Sequence, residues 1–112
     1  MVSNNMINVI YYRNHNRLTV SGHAGSAEPG RDLICASASI LAMTLAENVL
    51  HICDSGCADN PVTVLREGNA EISCRPMHRY KDSVQQVFMS VCVGFEILAS
   101  KFPEYVTYSV RG

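Results

Sequence analysis

MINVIYYRNHNRLTVSGH, residues 6–23, is the stretch that sets the fold class. Its first part, 6–12, is crowded with β-branched and aromatic side chains, which suit a pleated strand. Asn14, His15 and Asn16 then supply turn chemistry. Residues 18–23 alternate, with Leu18, Val20 and Gly22 on one face and Thr19, Ser21 and His23 on the other. Two such runs around a short polar break predict a hairpin. The segment that follows, AGSAEPG over 24–30, carries Gly25, Ser26, Pro29 and Gly30 and predicts a loop.

Outward from the hairpin, Asp32 is expected to cap a helix that runs to about residue 54 and stops at Ser55-Gly56. Ser37, Thr44, Asn48 and His51 fall in one narrow stripe of that helix and the rest is mostly apolar, so burial on most sides is expected. Strands are expected over 62–65 and 70–74 around a turn at Glu67-Gly68-Asn69. Asp82 is expected to cap a second helix reaching about residue 101, just before Pro103. Val84, Val87, Phe88, Val91, Phe95 and Leu98 form its core stripe, and Met89, Val93 and Ile97 lie on the opposite side. A last strand covers 106–110. The order ββαββαβ implies an α+β fold, a mostly antiparallel sheet with two helices packed on it. The 112 residues suit one domain spanning 1–112.

Charge and composition exclude several classes. Nine Lys and Arg stand against ten Asp and Glu, a net charge of -1. A dedicated nucleic-acid binder normally shows a basic face, so direct nucleic-acid binding is not expected. The longest charge-free apolar stretch, 33–46, has about fourteen residues. A membrane span needs roughly twenty, so none is expected. Five cysteines cannot all pair within the chain. Residues 1–5 are polar, with no apolar run behind a basic one. Together these predict reduced thiols and a cytoplasmic protein.

The chemistry centres on Cys35. With Asp32 as cap, Cys35 is the third helical residue, near free backbone N–H groups and the positive end of the helix dipole. Such a place favours the nucleophilic thiolate, and neighbouring N–H groups can hold a developing oxyanion. His23 lies twelve positions earlier, at the end of the second strand. The intervening loop can fold back to bring imidazole to sulfur, the minimum arrangement for nucleophilic acyl transfer. Two plainer readings stand beside it: Cys35 as a buried core thiol, and His23 as a strand-end residue satisfied by backbone. Strict alternation also puts His23 on the face opposite Val20.

The run Gly22-His23-Ala24, then Asp32-Leu33-Ile34-Cys35-Ala36, then Ser39, resembles the ribosomal-processing cysteine protease family. The pattern there is Gly-His-Ala, a short mobile loop, Asp-x-x-Cys-Ala, and a Ser four residues beyond the Cys. The likeness covers essentially the whole chain, because length and element order fit as well. It implies a cysteine endopeptidase that removes the N-terminal extension from the precursor of large-subunit ribosomal protein twenty-seven. Cleavage would follow an aromatic pair and precede a small residue. Cys35 would be the nucleophile, His23 the base, and the protein a homodimer. No cofactor or metal is implied.

Supporting roles follow from the same motif. Asp32 either orients His23, as the third member of a triad does, or only caps the helix. Ser39 is one turn beyond Cys35 on the same face; it donates to the site or bonds the carbonyl four residues back. Gly22, Ala24, Gly25, Ser26 and Gly30 belong to a substrate-binding lid, with Gly25 and Gly30 as hinges, or to an ordinary surface loop. The row Met89, Val93 and Ile97 is either the dimer contact that the resemblance implies or an ordinary scatter of exposed apolar residues. Two rival readings remain. One is a zinc-binding module built on Cys53, Cys57, Cys74 and His78. The other is a non-catalytic peptide-binding domain, which needs no nucleophile.

Overall fold

The computed structural model describes residues 6–23 and 30–112. β1 (Ile7–Tyr12) and β2 (Arg17–Gly22) form the expected hairpin, followed by α1 (Arg31–Asp54). Then come β3 (Ala58–Arg66), β4 (Asn69–Pro76), a short 3₁₀ turn (His78–Tyr80), α2 (Lys81–Lys101) and β5 (Val106–Arg111). The five strands make one sheet in the order β3-β4-β2-β1-β5. Three of the pairings are antiparallel, and β5 lies parallel to β1. The architecture is the α+β arrangement that the element order implies.

Both helices cover the same face of the sheet. β1 shows why: Ile7, Val9 and Tyr11 are buried and alternate with more exposed residues. Leu18 and Ile72 from the neighbouring strands are fully buried beneath the helices, together with Phe88 and Phe95 of α2 and Leu45 and Val49 of α1. Tyr11 stacks on Phe88 with ring centroids 6.1 Å apart. The helices meet where Leu41 enters the space beside Gly94; a Cβ there would stand 2.6 Å from Leu41 Cδ2. The other face of the sheet is polar. Arg17 donates to Glu71 at 2.9 Å and lies over the Tyr12 ring, and Thr107 donates to Asn8 at 2.8 Å.

Several expectations need correction. Asp32 does not cap α1. Gly30 is the N-cap in a left-handed conformation (φ 87), and the first helical bond runs from Ile34 N–H to Gly30 O at 3.2 Å. Arg31 and Asp32 are already helical, so Cys35 is the fifth helical residue rather than the third. The N–H groups a helix leaves free at its start therefore lie about one turn ahead of the thiol. Asp82 likewise sits inside the first turn of α2, whose N-cap is Tyr80, because the 3₁₀ turn has already set the helical direction. β3 starts at Ala58, well before residue 62, across a register shift between Asp59 and Val62 where Asn60 has φ 53. The bulge tolerates Pro61, a residue that disfavours regular pairing.

α1 is also less covered than its composition suggests. Leu33, Ile40, Met43 and Leu50 are exposed, Leu33 at 69%. A single helical layer on one sheet face can bury only the inner side of each helix. The segments Asp32–Asp54 and His78–Lys101 are long and apolar enough to cross a membrane by length and composition alone. Here they serve as the cover of a sheet.

Candidate active site

β2 ends at Gly22 because that residue has φ 97 and stands against Met6. A Cβ at position 22 would overlap the Met6 carbonyl oxygen, so only glycine fits there without moving backbone. The chain leaves the pleat at this point, and His23 lies outside the strand. The alternation that put His23 opposite Val20 no longer applies. Val20, Gly22 and His23 all line one cavity of about 810 Å³.

The opposite wall of this cavity comes from α1. Asp32, Cys35, Ala38, Ser39, Ala42 and Met43 face it at helical spacing. Cys35 is half-buried, while Asp32 and Ser39 are exposed. The floor is Ile7 and Ala70, and the third wall is the β3–β4 turn with its flanks, Leu65 to Asn69. Apolar side chains of Val20, Met43 and Leu65 thus surround a thiol and an imidazole in one open cleft, with Asp32, Arg66 and Glu67 contributing charge.

The structure brings together Cys35, His23, Asp32, Ser39 and Gly22. Among the described residues no hydrogen bond joins Cys35 to His23, or Asp32 to His23. Ser39 makes no bond to the carbonyl four residues back, although Ser37 does so to Leu33 O at 2.8 Å and Thr44 to Ile40 O at 2.7 Å. Of the expected lid, Ala24, Gly25 and Ser26 lie outside the described residues. Gly30, at the lid's far end, is the helix cap.

Sequence reasoning missed the β3–β4 turn as part of the site. Gly22 N–H donates to Gly68 O at 3.0 Å, and the imidazole of His23 lies against Gly68. The motif that marks positions 22–39 carries no sign of this contact, because it depends on β4 pairing with β2. Ala38, Ala42 and Met43 could have been found, since they stand three, seven and eight residues beyond Cys35, on the same helical face.

The zinc reading finds no support in the geometry. Among the described residues no group of three or more His, Cys, Asp or Glu side chains could hold a metal ion. Cys74 is buried, and burial pushes its thiol up to about 11, while His78 is exposed on the 3₁₀ turn. The thiols of Cys53 and Cys92 are also raised by burial, and all five cysteines are free.

Residues 6–107 match the family model described as cysteine protease Prp. Among solved structures the chain is similar to SMU.848 from Streptococcus mutans, with 27% identity and a TM-score of 0.68 over 95% of this chain and 94% of that one. It is also similar in fold to an essential ribosomal processing protease Prp from S. aureus. The form in complex with a substrate peptide has 17% identity and a TM-score of 0.66. The form in complex with a covalently linked product peptide has 18% identity and a TM-score of 0.65. Each covers 95% of this chain and 98% of that one. No curated protein matches the chain.

Proposed function

The chain belongs to the cysteine protease Prp family, and from that premise we propose that Cys35 is its nucleophile and His23 its general base. The observation that carries the assignment is that a half-buried thiol and an exposed imidazole, from different elements, line the same cleft. In this reading His23 takes the proton from Cys35, and the thiolate sulfur attacks the scissile carbonyl carbon. The tetrahedral intermediate collapses to a thioester as His23 returns the proton to the leaving amine. Water, deprotonated by the same imidazole, then attacks the thioester and releases the acid and the thiol. Ser39 and Asp32 act in support from the cleft wall, Ser39 as a donor and Asp32 as the residue that orients the imidazole.

The substrate is the precursor of large-subunit ribosomal protein twenty-seven, cut after an aromatic pair. The apolar walls at Val20, Met43 and Leu65 suit aromatic side chains, and the S. aureus protease of like fold is described in complex with a substrate peptide. The protein works in the cytoplasm as a homodimer, with its five thiols free and its exposed row Met89, Val93 and Ile97 available for contact.

Incubation of the purified chain with a precursor peptide carrying Phe-Phe before a small residue tests the assignment by mass spectrometry. Cleavage after the second Phe is expected, with loss of at least about a hundredfold in rate for Cys35→Ala and His23→Ala. Product formation by Cys35→Ala at the parent rate would reject the nucleophile.

A further inference from the structure

We infer that Gly68 is a positioning residue for His23: the bare Cα in the β3–β4 turn is the seat against which the imidazole rests. The inference deepens the proposed function, since it rests on His23 being the base. A Cβ built at Gly68 would stand 2.5 Å from His23 Nε2, 2.9 Å from Cε1 and 3.3 Å from Cδ2. The ring therefore meets the turn tip-first, so a side chain at position 68 would force the imidazole out of the place it occupies. The same glycine accepts the Gly22 N–H through its carbonyl at 3.0 Å. One residue thus holds the backbone just before His23 and also sets how far its ring can tilt toward the turn.

The register explains how a distant turn comes to do this. β2 and β4 pair down to Ser21↔Asn69. One step further along each strand brings Gly22 to Gly68, and the next residue on β2's side is His23. An exposed imidazole with no hydrogen bond among the described residues has little else to limit its rotamers. The turn supplies that limit by contact alone.

A glycine with φ 74 is also what a turn needs for its own sake, and the two roles can be separated. Gly56 has φ 78, with nothing within 4 Å of its would-be Cβ. Gly56→Ala therefore carries the left-handed strain without touching His23. Gly68→Asn provides a second variant at the seat, because asparagine tolerates this conformation yet still brings a Cβ.

The test uses the full chain with Gly68→Ala, Gly68→Asn, Gly56→Ala, His23→Ala and the double variant His23→Ala with Gly68→Ala. Two readouts are taken: kcat and KM on the Phe-Phe precursor peptide, and the rate of Cys35 alkylation by iodoacetamide across pH, located by mass spectrometry. Both Gly68 variants should lose about 10- to 100-fold in kcat with KM changed less than about threefold. Their alkylation profiles should move toward that of His23→Ala. Gly56→Ala should stay within about twofold of the parent in both. In the His23→Ala background, adding Gly68→Ala should change the alkylation rate by less than about twofold. Equal behaviour of the Gly68 and Gly56 variants, or an undiminished Gly68 effect without His23, would overturn the inference and leave the base assignment standing. Parent-like turnover and alkylation in His23→Ala would instead remove the base assignment itself.

Discussion

Gly22→Ala should destabilise the protein far more than an ordinary glycine substitution. The added Cβ would overlap the Met6 carbonyl oxygen, which is backbone and cannot swing aside as a side chain can. Three costs combine. Left-handed strain at φ 97 contributes about 1 kcal/mol. Forcing the start of β1 away from the end of β2 resembles overpacking, about 1–3 kcal/mol. Weakening the bond from Gly22 N–H to Gly68 O adds about 1 kcal/mol. The sum is about 3–5 kcal/mol, or roughly 12–20 °C in Tm for a chain of this size. Gly56→Ala, with a similar φ of 78 and open space around it, serves as the reference at about 1 kcal/mol. Thermal unfolding followed by circular dichroism compares the two with the parent. A Tm loss for Gly22→Ala no greater than that for Gly56→Ala would refute the claim that β2 ends at a backbone contact only glycine can make.

Two further outcomes are expected. Stability should fall at alkaline pH because burial in the folded chain pushes the Cys74 thiol up from the ordinary 9.0 to about 11. Its contribution is complete below the unfolded value and is lost as pH rises through the folded one. Tyr11, Cys92 and Tyr108, also raised by burial, act in the same direction. Cys74→Val should therefore flatten the fall in Tm between about pH 9 and 11, and an unchanged slope would remove Cys74 from the account. Val93→Glu puts a charge into the exposed row of α2, where Val93 is 51% exposed. It should convert the proposed dimer to a folded monomer in sedimentation, and a dimer that persists would put the contact elsewhere, with the exposed row of α1 as the next candidate.

The elements were legible in the sequence where their signals are local. The hairpin over residues 6–23 and the far ends of both helices stand close to where alternation, glycine and proline mark them. The outer row of α2 also faces solvent as its spacing implies. Helix starts were not legible. Asp32 and Asp82 each have a cap's chemistry, but the preceding backbone at Gly30 and the 3₁₀ turn had already begun the helix. The exposure of Leu33 and Ile40 was equally hidden, because an apolar helix does not say how many layers will cover it.

By itself the sequence determined the order of strands and helices, and that a Gly-His pair and an Asp-x-x-Cys run stand twelve residues apart from imidazole to thiol. Periodicity and capping are properties of neighbours along the chain, so a reader of the chain can find them. Only the tertiary structure decided that β5 lies parallel beside β1, that β4 sits beside β2, and that Gly68 therefore comes to rest against His23. Strand partnership depends on free energy summed over residues far apart in sequence. No local pattern around position 68 encodes what will be folded against it.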